Sequence, residues 1–269
     1  MSYKLLVLDV DGTLIGHGSH ASPGVAKAIA QAREKGVAVT LGTGRASEAC
    51  YHLLKQLHLD KLHIFFDGAA VVDWPSNDII FLQALPPRAA ERLIELAREY
   101  DLFLEIYAHD FYFIEHNGCL AERQREKLKI TPLITDLMTL VRRIKIVKGQ
   151  ILATNDDERT RAEELSQKMA PYCKMSWSFD PSNNTYFINA VARSVSKGES
   201  LRNVADYFGL DLSQVAAIGD SFNDLSVFEV AGFKIAMGNA PDNLKELADW
   251  VAPSVEKDGV AVAIEKFIL

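Results

Sequence analysis

Two carboxylates stand two residues apart in Asp9-Val10-Asp11-Gly12-Thr13, directly after the apolar run Leu5-Leu6-Val7-Leu8. On an extended chain, residues i and i+2 face the same side. Asp9 and Asp11 are therefore expected to converge beyond the carboxyl end of a buried strand, where open α/β sheets collect ligands. Gly12 allows the chain to turn away there. Asp-Gly is equally an ordinary turn pair, in which Asp11 would only cap the turn. A second apolar run leads into Gly219-Asp220-Ser221-Phe222-Asn223-Asp224, with two more carboxylates. Asp220 and Asp224 suit helix N-caps as well as ligands. Four carboxylates gathered at one end of a sheet repel each other. A hard divalent cation with oxygen ligands relieves this, and Mg²⁺ is the usual one beside phosphate.

Two further segments extend the site toward an anion. In Val39-Thr40-Leu41-Gly42-Thr43-Gly44-Arg45, the Thr43 hydroxyl and neighbouring amides fall between a strand end and a helix start, where anions are favoured. Ser196-Lys197-Gly198 puts an ammonium at the start of another helix. Alone it reads as a surface lysine; beside phosphate it is a mobile point charge.

The elements that must hold these residues show in two textures of apolar patterning. Val37-Ala38-Val39, Ile64-Phe65-Phe66 and Val215-Ala216-Ala217-Ile218 are continuous apolar runs, like Leu5-Leu6-Val7-Leu8. Such strands are covered on both faces in a parallel sheet. Ser22-Pro23 reads as the N-cap and first residue of a helix with Val25, Ala28, Ile29 and Ala32 on one face, ended by Gly36. Another helix is expected over residues 46–57. Later, runs around Val215, Ile235 and Val251 alternate with helices near Leu225, Leu244 and Ile264. This is a doubly wound α/β pattern.

The middle of the chain differs. Met175, Trp177 and Phe179 alternate with serines, and Leu102, Leu104 and Ile106 share a side, as in antiparallel strands with one wet face. Helical stripes recur at Ala89, Leu93 and Ala97 and at Ala162, Leu165 and Met169. The expected organisation is a core over residues 1–83 and 192–269, interrupted by an α+β domain over 84–191.

Composition narrows the function. Of 269 residues, 48% are apolar and 24% charged, which fits a folded protein and not a disordered one. No apolar run nears the ~18 residues of a membrane span, and no signal-peptide pattern is present; a cytoplasmic protein is expected, with no membrane partner. The net charge of −7, from 36 acidic and 29 basic residues, argues against a nucleic-acid partner. Basic bunches at Arg123, Arg125, Lys127 and Lys129, and at Arg142, Arg143, Lys145 and Lys148, read as solvated faces. Cys50, Cys119 and Cys173 have no metal-binding spacing and read as reduced structural residues. Trp74, Trp177 and Trp250 are expected to pack. Gly42-x-Gly44-x-x-Ser47 lacks the third glycine of a dinucleotide fingerprint, and no P-loop occurs.

Taken in order, Asp9-Val10-Asp11-Gly12-Thr13, Thr43-Gly44-Arg45, Ser196-Lys197-Gly198 and Gly219-Asp220-Ser221-Phe222-Asn223-Asp224 resemble the four motifs of the haloacid dehalogenase superfamily. The match looks closest to its Cof-type sugar-phosphatase branch (type IIB) and spans essentially the whole chain. The resemblance implies a Rossmann-like doubly wound parallel core with an inserted α+β cap, and a Mg²⁺-dependent phosphomonoester hydrolase. It makes Asp9 the nucleophile that forms an aspartyl-phosphate and Asp11 the general acid and then base. Mg²⁺ would be held by Asp9, the backbone carbonyl of Asp11, and Asp220. Phosphate would be bound by Val10, Thr43, Gly44, Lys197 and Asn223, with Asp224 holding Lys197 or completing the metal's outer shell.

The implied substrate is a sugar phosphate or a similar small phosphorylated metabolite; pyridoxal phosphate and flavin mononucleotide fit as well. One departure is Asp67-Gly68-Ala69, where the family usually carries Asn-Gly-Ala; Asp67 reads as a turn residue or as an altered substrate contact. Two alternatives share the motifs: a phosphomannomutase-like phosphomutase, and a non-catalytic Mg²⁺-dependent binding protein, against which the intact Asp9, Asp11, Lys197 and Asp220 speak. The cap is expected to close over the site, hinged near residues 83–87 and 190–193. Tyr107, His109, Tyr112, Asn183 and Asn184 are its polar candidates for substrate contact, and His17 and His20 of the glycine-rich loop read as solvated.

Overall fold

Leu5–Leu8, apolar and buried along its whole length, forms the first strand, β1, in a computed structural model of the chain. The structure describes residues 3–16, 18–109, 111–128, 130–180 and 183–269; His17 and Lys129 lie outside the described residues. After β1 come α1 (Pro23–Glu34), β2 (Ala38–Leu41), α2 (Tyr51–Gln56), β3 (Lys61–Phe65), β4 (Ala70–Trp74) and β5 (Asp78–Leu82). Next follow α3 (Pro87–Glu99), β6 (Phe103–Tyr107), β7 (Tyr112–Ile114), α4 (Cys119–Leu128), β8 (Leu133–Ile134), α5 (Leu137–Val141), β9 (Lys148–Ala153), α6 (Asp156–Met169), β10 (Lys174–Asp180) and β11 (Thr185–Val191). The chain continues with α7 (Lys197–Phe208), β12 (Val215–Gly219), α8 (Leu225–Phe228), β13 (Phe233–Ala236), α9 (Asp242–Lys245), β14 (Trp250–Val251) and α10 (Gly259–Phe267). It divides into two compact units, residues 1–45, 50–81 and 196–269 in one and residues 46–49 and 82–195 in the other.

The first unit is built on a parallel sheet of order β14-β13-β12-β1-β2. Leu5 and Val7 share a core cluster with Leu201 and Val204 of α7, while Leu6 and Leu8 are equally buried on the other side. Burial on both faces is why the run is unbroken. In α1 the Ser22 side chain accepts from the Val25 N–H at 3.1 Å, Pro23 follows, and Val25, Ala28, Ile29 and Ala32 are buried, as the pattern predicts. The helix expected over 46–57 is shorter, a 3₁₀ turn at Glu48–Cys50 followed by α2.

The third apolar run leaves its expected place. β3 pairs antiparallel with β4 in a separate sheet of order β3-β4-β5. Just past the end of β2 it makes one parallel bridge, Gly42 to Ile64. Side chains fill the rest of that seam: the Leu41 N–H donates to His63 Nδ1 at 3.1 Å, and Thr40 Oγ1 donates to the Leu62 carbonyl at 2.9 Å. Phe66 and Asp67, both at positive φ, turn the chain from β3 into β4.

The second unit has a six-stranded sheet of order β10-β11-β9-β6-β7-β8. Leu104, Ile106, Ile151 and Ile188 on one face pack with Leu93, Ile94 and Ala97 of α3 and Ala162, Leu165 and Met169 of α6. The other face carries Glu105, Gln150 and Asn189 at paired positions of β6, β9 and β11. Glu105 accepts from the Tyr107 hydroxyl at 2.7 Å, Gln150 Nε2 at 3.0 Å and Gln124 Nε2 at 3.1 Å, and burial pushes its carboxyl up to about 7. Of the polar candidates named from the sequence, Tyr107, His109 and Tyr112 are buried, whereas Asn183 and Asn184 are exposed. Lys148 is not on a solvated face: it is buried, its ammonium 5.7 Å from the centre of the Tyr107 ring. Trp177 is 39% exposed, because β10 is an edge strand. Among the described residues, no helix is long and apolar enough to cross a membrane.

Candidate active site

Strand register brings three of the sequence motifs to one end of the parallel sheet. Leu8 lies beside Ile218 on one side and Leu41 on the other. The next residues therefore emerge together: the Asp9 N–H donates to the Ile218 carbonyl at 3.0 Å, and the Gly42 N–H to the Leu8 carbonyl at 2.8 Å. The extended path ends there. The N–H groups of Leu14 and Ile15 both donate to the Val10 carbonyl, so the chain folds into a tight turn after Asp9. Gly12 sits at φ +82°, and a Cβ on it would stand 2.2 Å from Asp220 Oδ2. The turn sends Asp9 and Asp11 to different surroundings. Asp9 is 5% exposed, whereas the Asp11 side chain is 60% exposed and is gripped by Arg45, Nε at 2.8 Å and Nη2 at 2.6 Å. The Val10 side chain is fully buried, so its main chain is what can meet a ligand.

Lys197 is the hub of the buried charges. As the first residue of α7, after the N-cap Ser196, its side chain is 1% exposed. Its Nζ lies 2.6 Å from Asp9 Oδ1 and 2.7 Å from Asp224 Oδ1. The other oxygen of Asp224 accepts from the N–H groups of Asp220 (3.0 Å) and Ser221 (3.1 Å). Asp224 thus closes its own loop while holding the lysine. Burial works against the lysine's charge, but Asp224, Asp9 and Asp67 outweigh it and raise its pKa. Burial, with Asp224 next, pushes the Asp9 carboxyl well above the ordinary range; the same two causes lift Asp220 to about 7.

Asp9, Asp220 and Asp224 each present a carboxylate oxygen within 4.8 Å of the others. Three carboxylates against one ammonium leave an excess of negative charge in a buried place, and the donors are all hard oxygens. That donor set fits a divalent cation such as Mg²⁺. Asp9, Asp220 and Asp224 are the side chains that could hold such an ion, Asp224 also being tied to Lys197 and to its own loop.

Neighbouring groups hold the rest of the arrangement. Thr13 Oγ1 donates to Asp220 Oδ1 at 2.9 Å. Asn239 Nδ2 donates to the Gly12 carbonyl at 2.8 Å and approaches Asp220 Oδ2 at 3.3 Å, while its Oδ1 accepts from the Val255 N–H. Thr43 Oγ1 accepts from the Arg45 N–H at 3.1 Å, which leaves the hydroxyl proton for an anion. Asn223, expected to bind phosphate, donates through Nδ2 to Asp67 Oδ1 at 3.2 Å and accepts from Ser221 Oγ at 2.6 Å. Sequence reasoning missed Arg45 as the partner of Asp11, although it lies inside the Thr43-Gly44-Arg45 motif. Asn239 left no signal, being a lone polar residue in a turn.

Residues 6–264 match the haloacid dehalogenase-like hydrolase family. A 5-amino-6-(5-phospho-D-ribitylamino)uracil phosphatase of Bacillus subtilis is 30% identical over 268 residues, covering 99% of this chain and 96% of its own. A pyridoxal phosphate phosphatase of Escherichia coli is 26% identical over 279 residues and the whole of both chains. Among solved structures, a haloacid dehalogenase-like hydrolase from Bacteroides thetaiotaomicron superposes with a TM-score of 0.87 at 27% identity, covering 98% of this chain and 99% of that one. Sequence match and backbone agree over nearly the full length: the chain belongs to the haloacid dehalogenase-like hydrolase family and is a phosphatase of its type.

Proposed function

We propose that the chain is a Mg²⁺-dependent phosphomonoester hydrolase that works through an aspartyl-phosphate on Asp9, in the cytoplasm, where cysteine thiols stay reduced. The observation that carries this reading is the placement of Asp9: buried at a strand end, 2.6 Å from Lys197, in a cluster of three carboxylates. An Asp9 oxygen attacks phosphorus and the bond to the leaving oxygen breaks. Asp11 gives the departing alkoxide a proton, then takes one from the water that attacks the aspartyl-phosphate, releasing phosphate and restoring Asp9. Arg45 orients Asp11 by its two-pronged grip. Thr43, the main chain of Val10 and Gly44, and Lys197 bind the phosphoryl oxygens. Asn223 acts from behind through Asp67, and Asp224 fixes Lys197.

Asp9, Asp220 and the Asp11 carbonyl would hold Mg²⁺, which supplies charge neutralisation between Asp9 and the incoming phosphoryl group. The substrates are small phosphorylated metabolites, sugar phosphates first. The relatives named for pyridoxal phosphate and for a phosphoribitylaminouracil support that size class. The test is hydrolysis of p-nitrophenyl phosphate with Mg²⁺ and with chelator, for the wild type and Asp9→Asn. Turnover that needs both metal and Asp9 is expected; turnover that survives Asp9→Asn would sink the mechanism.

A further inference from the structure

The geometry points to Asp67 as a specificity-determining acceptor that takes a hydrogen bond from the P–OH of the bound phosphoryl group, so that the site selects protonated phosphate over fully ionised oxyanions. This rests on the phosphatase reading above. Asp67 lies among the residues assigned there to the phosphate. Its N–H donates to the Thr43 carbonyl at 3.0 Å. Its carboxylate covers Gly44, with Oδ1 and Oδ2 only 2.8 and 3.1 Å from where a Gly44 Cβ would stand. Its charge is one of those that raise the pKa of Lys197.

The two carboxylate oxygens differ. Oδ1 accepts from Asn223 Nδ2 at 3.2 Å, whereas Oδ2 is buried and has no hydrogen-bond donor among the described residues. A buried acceptor left unmet is costly, and a native structure that keeps one needs a reason. A turn residue does not require it: asparagine adopts the same positive φ readily and carries no charge. A carboxylate beside an anion site also repels any ligand that brings no proton. Both facts are explained if the ligand supplies the missing donor. The phosphoryl group does so through its own P–OH, whereas sulfate, of the same shape, is fully ionised at neutral pH.

The experiment compares inorganic phosphate with sulfate. Inhibition constants for both anions are measured in the presence of Mg²⁺ for the wild type, Asp67→Asn and Asp67→Ala, and binding is measured by calorimetry in parallel. The wild type is expected to prefer phosphate by about tenfold or more, the worth of one charge-assisted hydrogen bond. Asp67→Asn should reduce that preference to about twofold, mainly by tightening sulfate, because the amide can donate to it. A wild type that does not discriminate overturns the proposal, even if the variants fail to fold; so does a preference unchanged in both variants. Calorimetry separates the two readings. Discrimination that depends on Asp67 in a protein without turnover would spare this inference and remove the hydrolase, and turnover with no such discrimination would do the reverse.

Discussion

Neutralising Asp220 relieves repulsion from the buried Asp9 and Asp224. Asp220→Asn is therefore expected to raise the stability of the metal-free protein by about 1 kcal/mol or more while abolishing its response to Mg²⁺. Thermal melts of wild type and variant, with chelator and with metal, check both halves; a variant that still gains stability from Mg²⁺ would remove Asp220 from the ligands. Lys197 shows the opposite sign. Its ammonium offsets Asp9 and Asp224 at 2.6 and 2.7 Å, and a buried ion group that loses one partner is destabilised by about 3–5 kcal/mol. Lys197→Met should lose stability on that scale in urea unfolding as well as activity. A fully stable but inactive variant would mean that the lysine serves the ligand alone.

At the scale of elements, α7 must come close enough to α8 to deliver Lys197, and Gly198 is what allows it. A Cβ there would lie 1.9 Å from the Ser226 carbonyl oxygen. Gly198→Ala should cost about 1–3 kcal/mol through overpacking and lower kcat by displacing the neighbouring lysine, read from melts and steady-state kinetics together. The seam between β2 and β3 carries a pH dependence. Burial, with a smaller push from Arg33, drops His63 from 6.5 to about 3, so the folded protein keeps it neutral, accepting from the Leu41 N–H. The unfolded chain takes up a proton below about pH 6.5, and the folded state does not. Stability should accordingly fall as pH drops from about 6.5 toward 3, by up to about 1.4 kcal/mol per unit. His63→Asn places an acceptor where Nδ1 stands and cannot titrate. Urea midpoints at neutral and mildly acid pH should show a smaller acid loss in this variant than in the wild type.

For the whole molecule, each unit has its own apolar cluster: Leu5, Val7 and Val204 belong to one, and Leu93, Ile106 and Ile151 to the other. Two cores need not melt together. Unfolding followed through Trp250 and through Trp177, in single-tryptophan variants, is expected to give two transitions. Mg²⁺ should move only the transition of the unit that carries Asp9, by about 2.7 kcal/mol at a hundredfold excess over Kd. A metal shift of equal size in both signals would show the units to be one cooperative body.

Much of this was legible from local pattern. Burial on both faces leaves an unbroken apolar run and burial on one face leaves alternation, so β1, β12 and α1 could be read directly, as could the carboxylates that follow the strands. A side chain's partner is set by register and by turns, which couple residues far apart in the chain. Thr13 and Asp220 meet only because Leu8 and Ile218 pair in β1 and β12. The rule for extended chains ceased to apply one residue into the first motif, where the turn at Val10 sends Asp11 to Arg45. The third apolar run looked like a parallel strand, yet His63 and Thr40 occupy the seam beside β2 with side-chain hydrogen bonds. Local periodicity records how deeply a residue is buried. Which charges meet in that interior was decided by tertiary structure, because the energy of a buried charge depends on neighbours that the chain brings from elsewhere.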